Sequence, residues 1–211
     1  MRHAEGDSKL RILQSAKKLF AMYGYDRTTV RQICEEAGVN VALVSYHFGG
    51  KEKVFQAMFE KALPEEVLQR IEAVRGNPVE CIKLLIYEVS AFRLGEPELH
   101  NVIRQEMMME SERMGTVRKH TFPLWSLLRD CLEEGKRQRL FHFQSTDMTL
   151  MSVLGILMFG PRKPEFQALL QEEPHPHEAF VEHATAFIFG GLGYREDEQT
   201  GQDGDNRPCR P

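Results

Sequence analysis

The chain has 211 residues, 42% of them hydrophobic, and a formal net charge of −4. That length can bury a core in one large domain or two small ones. The acidic balance argues against a protein that coats nucleic acid through a broadly basic surface. The charge is uneven: residues 1–60 carry 9 Lys+Arg against 7 Asp+Glu, and the remainder carries 18 against 24. A slightly basic head on an acidic body suits a module that meets phosphates at one end only. Cys34, Cys81, Cys131 and Cys209 lie far apart with no Cys-x-x-Cys pair. They are expected to be reduced thiols in a cytoplasmic protein, with neither a disulfide frame nor a zinc site. MRHAEGDSKL lacks the apolar stretch of a secretion signal, and the apolar run 148–159 is too short to span a bilayer.

Helical spacing runs through nearly the whole chain, so an all-α fold is expected. The first helix is predicted to start at Ser8 as N-cap and to end at Tyr23, with Leu13, Ala16, Phe20 and Tyr23 as its apolar stripe. Gly24 closes it. The second helix opens on Thr29 with Gln32 three residues on, a capping box, and buries Val30, Ile33 and Ala37. Gly38 ends it, and Asn40 caps a third helix over 41–48. Two short helices joined by a tight turn, at about 29–48, outline a helix-turn-helix, which lays its second helix in the DNA major groove. After Gly49-Gly50 a fourth helix starts at Lys51 and turns Val54, Phe55, Met58 and Phe59 inward. Further helices are predicted at 65–75, 78–94, 98–113, 118–138, 146–159 and 177–191, with breaks at Gly76-Asn77-Pro78, Gly95-Glu96-Pro97 and Gly160-Pro161. Residues 196–211 lack a hydrophobic pattern and read as a disordered tail.

Leu19-Phe20, Gly24-Tyr25, Thr28-Thr29, Ala37-Gly38-Val39, Tyr46-His47-Phe48 and Lys51-Glu52 keep the order and spacing of one known pattern. Over these residues the chain resembles the DNA-binding head of the TetR family of bacterial transcription regulators. The resemblance implies an N-terminal three-helix head with a helix-turn-helix, at 8–54. It implies a larger C-terminal helical domain for ligand binding and dimerisation, at 55–195. The chain departs from many members by carrying Ser45 where tyrosine is frequent, and Gly50 where serine often caps the fourth helix.

The third helix should expose Val41, Ala42, Ser45 and Tyr46 and turn Leu43, Val44 and Phe48 inward. Val41 and Ala42 are short enough to reach thymine methyls, and Ser45 can hydrogen-bond a base edge. Asn40 stands at the helix entry. Tyr46 and His47 resemble the family's phosphate-contacting pair. Lys51 sits where free N–H groups and the helix dipole favour an anion. Thr29 and Arg31 should reach the flanking backbone, although Thr29 also reads as a plain cap.

One head offers few contacts, so a homodimer reading a palindromic operator in double-stranded DNA is expected. In the family the last two helices pair with their copies in a four-helix bundle. Met151, Leu154, Met158, Phe180, Ala184, Phe187 and Gly191 fit that role, with the alternative that one segment is central core. The resemblance also implies a small-molecule effector that releases the protein from DNA, which would make it a repressor. Met107, Met108, Phe122, Trp125 and Leu128 are candidate pocket walls or, equally in kind, plain core. His175, His177 and His183 with Glu172 and Glu173 fit no strong metal signature, and neither metal nor cofactor is expected. Gly-rich phosphate loop, nucleophile elbow and His-Glu-x-x-His are missing from the sequence, so an enzyme is the weaker alternative. A nonspecific DNA-binding protein is the other.

Overall fold

A computed structural model describes residues 2–60, 65–159, 168–173 and 175–195. Among them are ten helices: α1 Arg2–Tyr23, α2 Val30–Ala37, α3 Val41–Phe48, α4 Lys51–Phe59, α5 Glu65–Ala73, α6 Pro78–Gly95, α7 Pro97–Met109, α8 Met114–Arg137, α9 Thr146–Phe159 and α10 His177–Gly191. The described residues contain no strand. Gly160-Pro161, Cys209 and the tail at 196–211 lie outside them. The chain groups into two compact units, and the division falls inside α6 and α8.

The first unit holds Met1–Val74 and Tyr87–Leu127. Its helix boundaries follow local chemistry. Gly24 takes φ +79 to end α1, and Gly38 takes φ +62 to end α2, a left-handed backbone that costs glycine little. α1 packs against α2, α3, α4 and α7. Ile12, Ala16, Phe20, Ile33, Val44, Val54, Phe55 and Phe59 are buried in this unit. Phe20, Tyr25, Phe55, Phe59 and His120 form a continuous ring series, with successive centroids 5.1–5.6 Å apart along Phe20–Tyr25–Phe55–Phe59–His120. α7 is tied to α1 where Gln105 Nε2 donates to the Ala21 carbonyl at 2.8 Å and Lys17 pairs with Glu96 at 2.5 Å.

Four expectations are corrected here. α1 begins at Arg2, so Ser8 lies inside the helix and is buried, not at its cap. The inward stripe of α1 keeps the expected Ala16 and Phe20 but adds Ile12 and Leu19, while Leu13 is only partly covered and Tyr23 is 51% exposed, so the helix leaves the core before its last turn. On α2 Ile33, Cys34 and Ala37 are buried, but Val30, expected inward with them, is only partly covered. α7 also stops at Met109, because Glu110 adopts the left-handed conformation at φ 47, and α8 starts at Met114 and carries Pro123 inside it.

The second unit holds Arg75–Ile86 and Leu128–Pro211. Cys81 on α6 and Cys131 on α8 are joined by a disulfide, with Cα atoms 6.4 Å apart and both residues fully buried. The expectation of four reduced thiols is therefore wrong for this pair. A separation of 50 residues carries no sign of contact until the two helices lie side by side. Phe141, Phe189 and Tyr194 form a ring cluster, and the His142 N–H donates to the Leu192 carbonyl at 2.7 Å, tying the end of α10 to the strap after α8. Gly135 lets Phe141 lie directly on α8: a Cβ there would stand 2.0 Å from the ring.

Candidate nucleic-acid interface

Thr28 and Thr29 divide their work. Thr28 is buried, and its hydroxyl donates to the Gly24 carbonyl at 2.8 Å, fixing the loop between α1 and α2. Thr29 caps α2: its Oγ1 accepts from the Gln32 N–H at 3.2 Å, while Gln32 Oε1 accepts from the Thr29 N–H at 2.8 Å. Gly38 then turns the chain, with the Val39 N–H donating to the Cys34 carbonyl at 3.0 Å. Asn40 Oδ1 accepts from the Ala42 N–H at 2.9 Å and so starts α3. Each satisfied terminal N–H fixes where the next helix begins, and this sets the angle at which α3 is presented.

Val44 anchors α3, being fully buried, with Leu43 and Phe48 partly covered. The opposite edge is open: Val41, Ala42, Ser45 and Tyr46 are exposed, Tyr46 to 71%. This is the expected division of the helix, and its outer edge is small except for the tyrosine. Arg31 is exposed and pairs with exposed Glu35 at 2.9 Å, a pair worth at most about 1 kcal/mol in water and easily exchanged for a phosphate.

His47 and Lys51 are less open than Tyr46. His47 Nε2 lies 2.9 Å from the Ser8 hydroxyl, which holds α3 to α1. The Lys51 ammonium sits 4.0 Å from the centroid of the Tyr25 ring, a favourable cation–π distance. Burial lowers the Lys51 pKa, Asp26 opposes the shift and Arg113 adds to it. Ser8, Tyr25 and Arg113 were not singled out as site residues by their sequence context. Only the Gly24-Tyr25 turn carried a signal.

The other candidate residues are scattered. Met107, Met108 and Phe122 are exposed, Trp125 is partly covered, and Leu128 is buried in the second unit. On α9 and α10, Met151 is 66% and Phe187 65% exposed, and Gly191 is open. Leu154 and Phe180 are partly covered, whereas Met158 and Ala184 are buried within the chain. The described residues contain no group of three or more His, Cys, Asp or Glu placed to hold a metal ion. No helix among them is long and apolar enough to cross a membrane.

Residues 12–58 match the family model described as bacterial regulatory proteins, tetR family. The "Probable HTH-type transcriptional regulator YttP" of Bacillus subtilis is 25% identical over 178 residues, covering 80% of this chain and 84% of that protein. The HTH-type transcriptional repressor AcnR of Corynebacterium glutamicum is 35% identical over 95 residues, covering 45% of each. The crystal structure of HlyIIR, a hemolysin II transcriptional regulator, superposes with a TM-score of 0.70 at 27% identity, covering 90% of this chain and 99% of the other.

A capped helix pair that presents an open edge of α3 defines a helix-turn-helix transcriptional regulator. Over residues 12–58 the chain matches the tetR family of bacterial regulatory proteins, and its described helices share the fold of HlyIIR.

Proposed function

We propose that the chain is a cytoplasmic repressor that binds a palindromic operator as a homodimer and leaves it when a small molecule binds the body. In this reading residues 8–54 recognise DNA and residues 55–195 dimerise and receive the effector. The observation that carries it is the exposed edge Val41, Ala42, Ser45 and Tyr46, standing opposite a fully buried Val44. Val41 and Ala42 present methyls to thymine, Ser45 offers a donor and acceptor to a base edge, and Tyr46 reaches a phosphate. Arg31 and Thr29 meet the flanking backbone, and Lys51 adds a cation at the start of α4.

A repressor is favoured over an activator by the likeness to AcnR, a transcriptional repressor. A dimer is favoured by the exposed apolar side chains Met148, Met151 and Phe187 on α9 and α10, which a second copy would cover. Effector control requires only that the ligand prefer one head spacing, because ligand and DNA binding are then reciprocally coupled. The stretch of α7 and α8 carrying Met107, Met108, Phe122 and Trp125 is the proposed effector region within the first unit.

Selection of a random duplex pool, followed by mobility-shift titration of the enriched sequence, tests the reading. Enrichment of an inverted repeat bound by two protomers supports it. A pool that stays random after repeated rounds would contradict it.

A further inference from the structure

Tyr25 holds two cations. The Lys51 ammonium lies 4.0 Å from its ring centroid, and the Arg113 guanidinium lies 4.1 Å from the same centroid. Arg113 comes from the turn between α7 and α8, outside the helix-turn-helix. Its guanidinium is anchored at three points. It stacks on Tyr25, faces Asp26 with nitrogens 3.4 and 3.5 Å from the two carboxylate oxygens, and donates from Nε to the buried Glu106 at 3.2 Å. The Ser111 hydroxyl donates to the same Glu106 carboxylate. Tyr25 in turn packs on Phe20 and Phe55 of the head core.

Two like charges sharing one ring repel, and only one is free to leave. Arg113 is bound by two carboxylates, whereas Lys51 has no side-chain carboxylate within ion-pair distance among the described residues and stands at the start of α4, beside the DNA-facing edge. We infer that Arg113 is a positioning residue for DNA contact: through the shared Tyr25 ring it holds the loop in place and biases the Lys51 ammonium off the ring toward a phosphate. This rests on the reading of the chain as an operator-binding regulator. It places one determinant of DNA affinity in the α7–α8 turn rather than in the head.

The test is a double-mutant cycle with Arg113→Met and Lys51→Ala, read on the duplex that the wild-type protein enriches from a random pool. Arg113→Met should weaken binding about threefold to tenfold. It should also lower the steepness of the log affinity against log salt plot by about one, the mark of a lost phosphate contact. Lys51→Ala should then add little in the Arg113→Met background. Arg113→Lys, which keeps the charge and the packing stem, should recover part of the loss and serves as the readable variant if Arg113→Met does not fold. Additive effects with an unchanged salt slope overturn the inference, since a merely structural role gives that result. A second readout needs no DNA: the Lys51 ε-methylene proton shift, moved upfield by the Tyr25 ring, should change in the Arg113 variants, and an unchanged shift also overturns the inference. An unenriched pool sinks the operator-binding reading itself, and is told apart because it appears with the wild-type protein before any variant is made.

Discussion

The Ser8 hydroxyl and His47 Nε2, 39 residues apart in the chain, meet at 2.9 Å and join the first turns of α1 to the recognition helix α3. Ser8 is buried and His47 partly so. A bond of this kind contributes about 1 kcal/mol net, and leaving a buried partner unmet costs up to about 3. Ser8→Ala should lower the melting temperature by a few degrees. It should weaken operator binding with no change of sequence preference. Parallel melting curves and mobility-shift titrations check both.

The Cys81–Cys131 disulfide closes a 50-residue segment that contains most of α6, all of α7 and the first part of α8. Chain-entropy reasoning assigns such a closure about 4 kcal/mol. Reduction under denaturing conditions followed by thiol capping, or the pair Cys81→Ala and Cys131→Ala, should lower stability by that order. Denaturant titration compares the oxidised and reduced chains, and equal midpoints would count against the bond.

Gly135 faces the Phe141 ring with no room for a side chain. Gly135→Ala should force the ring out of its place beside Phe189 and Tyr194, costing about 1–3 kcal/mol as overpacking does. The loss should appear in thermal unfolding, and Gly155→Ala, where a Cβ meets nothing within 4 Å, is the matched control.

Most of the head is legible in the sequence because its signals are local. Thr29 with Gln32, Gly38 and Asn40 act within four residues of themselves, and α2 and α3 begin and end where those residues put them. In the body the breaks at Gly76-Asn77-Pro78 and Gly95-Glu96-Pro97 are legible in the same way, whereas the α7–α8 break at Glu110 carries no glycine or proline signal. What fails is non-local or ambiguous. Ser8 reads as a cap because serine is a good one, yet α1 continues past it and buries its hydroxyl against α3. The stripe of α1 keeps Ala16 and Phe20 as expected but takes Ile12 and Leu19 in place of Leu13 and Tyr23, since apolar residues at adjacent positions permit either phase. Cys81 with Cys131, and Arg113 with Tyr25, are separated by 50 and 88 positions, and nothing in either segment names its partner.

Met151 and Phe187 are open on α9 and α10 of the single chain. Met151→Glu with Phe187→Glu should leave the fold intact, since neither is core, while placing charge in an apolar interface. Sedimentation equilibrium should then report a monomer where the unmodified chain is expected to sediment as the proposed dimer. A dimer that persists would move the interface elsewhere.

The measurement closest to the central claim is hydroxyl-radical footprinting on the duplex that the protein itself enriches. Two protected half-sites related by a two-fold axis are expected, about one helical turn or a multiple apart. Val41→Asp and Ser45→Ala should weaken each half-site equally. A single unsymmetrical footprint, or protection unaffected by both substitutions, would contradict it.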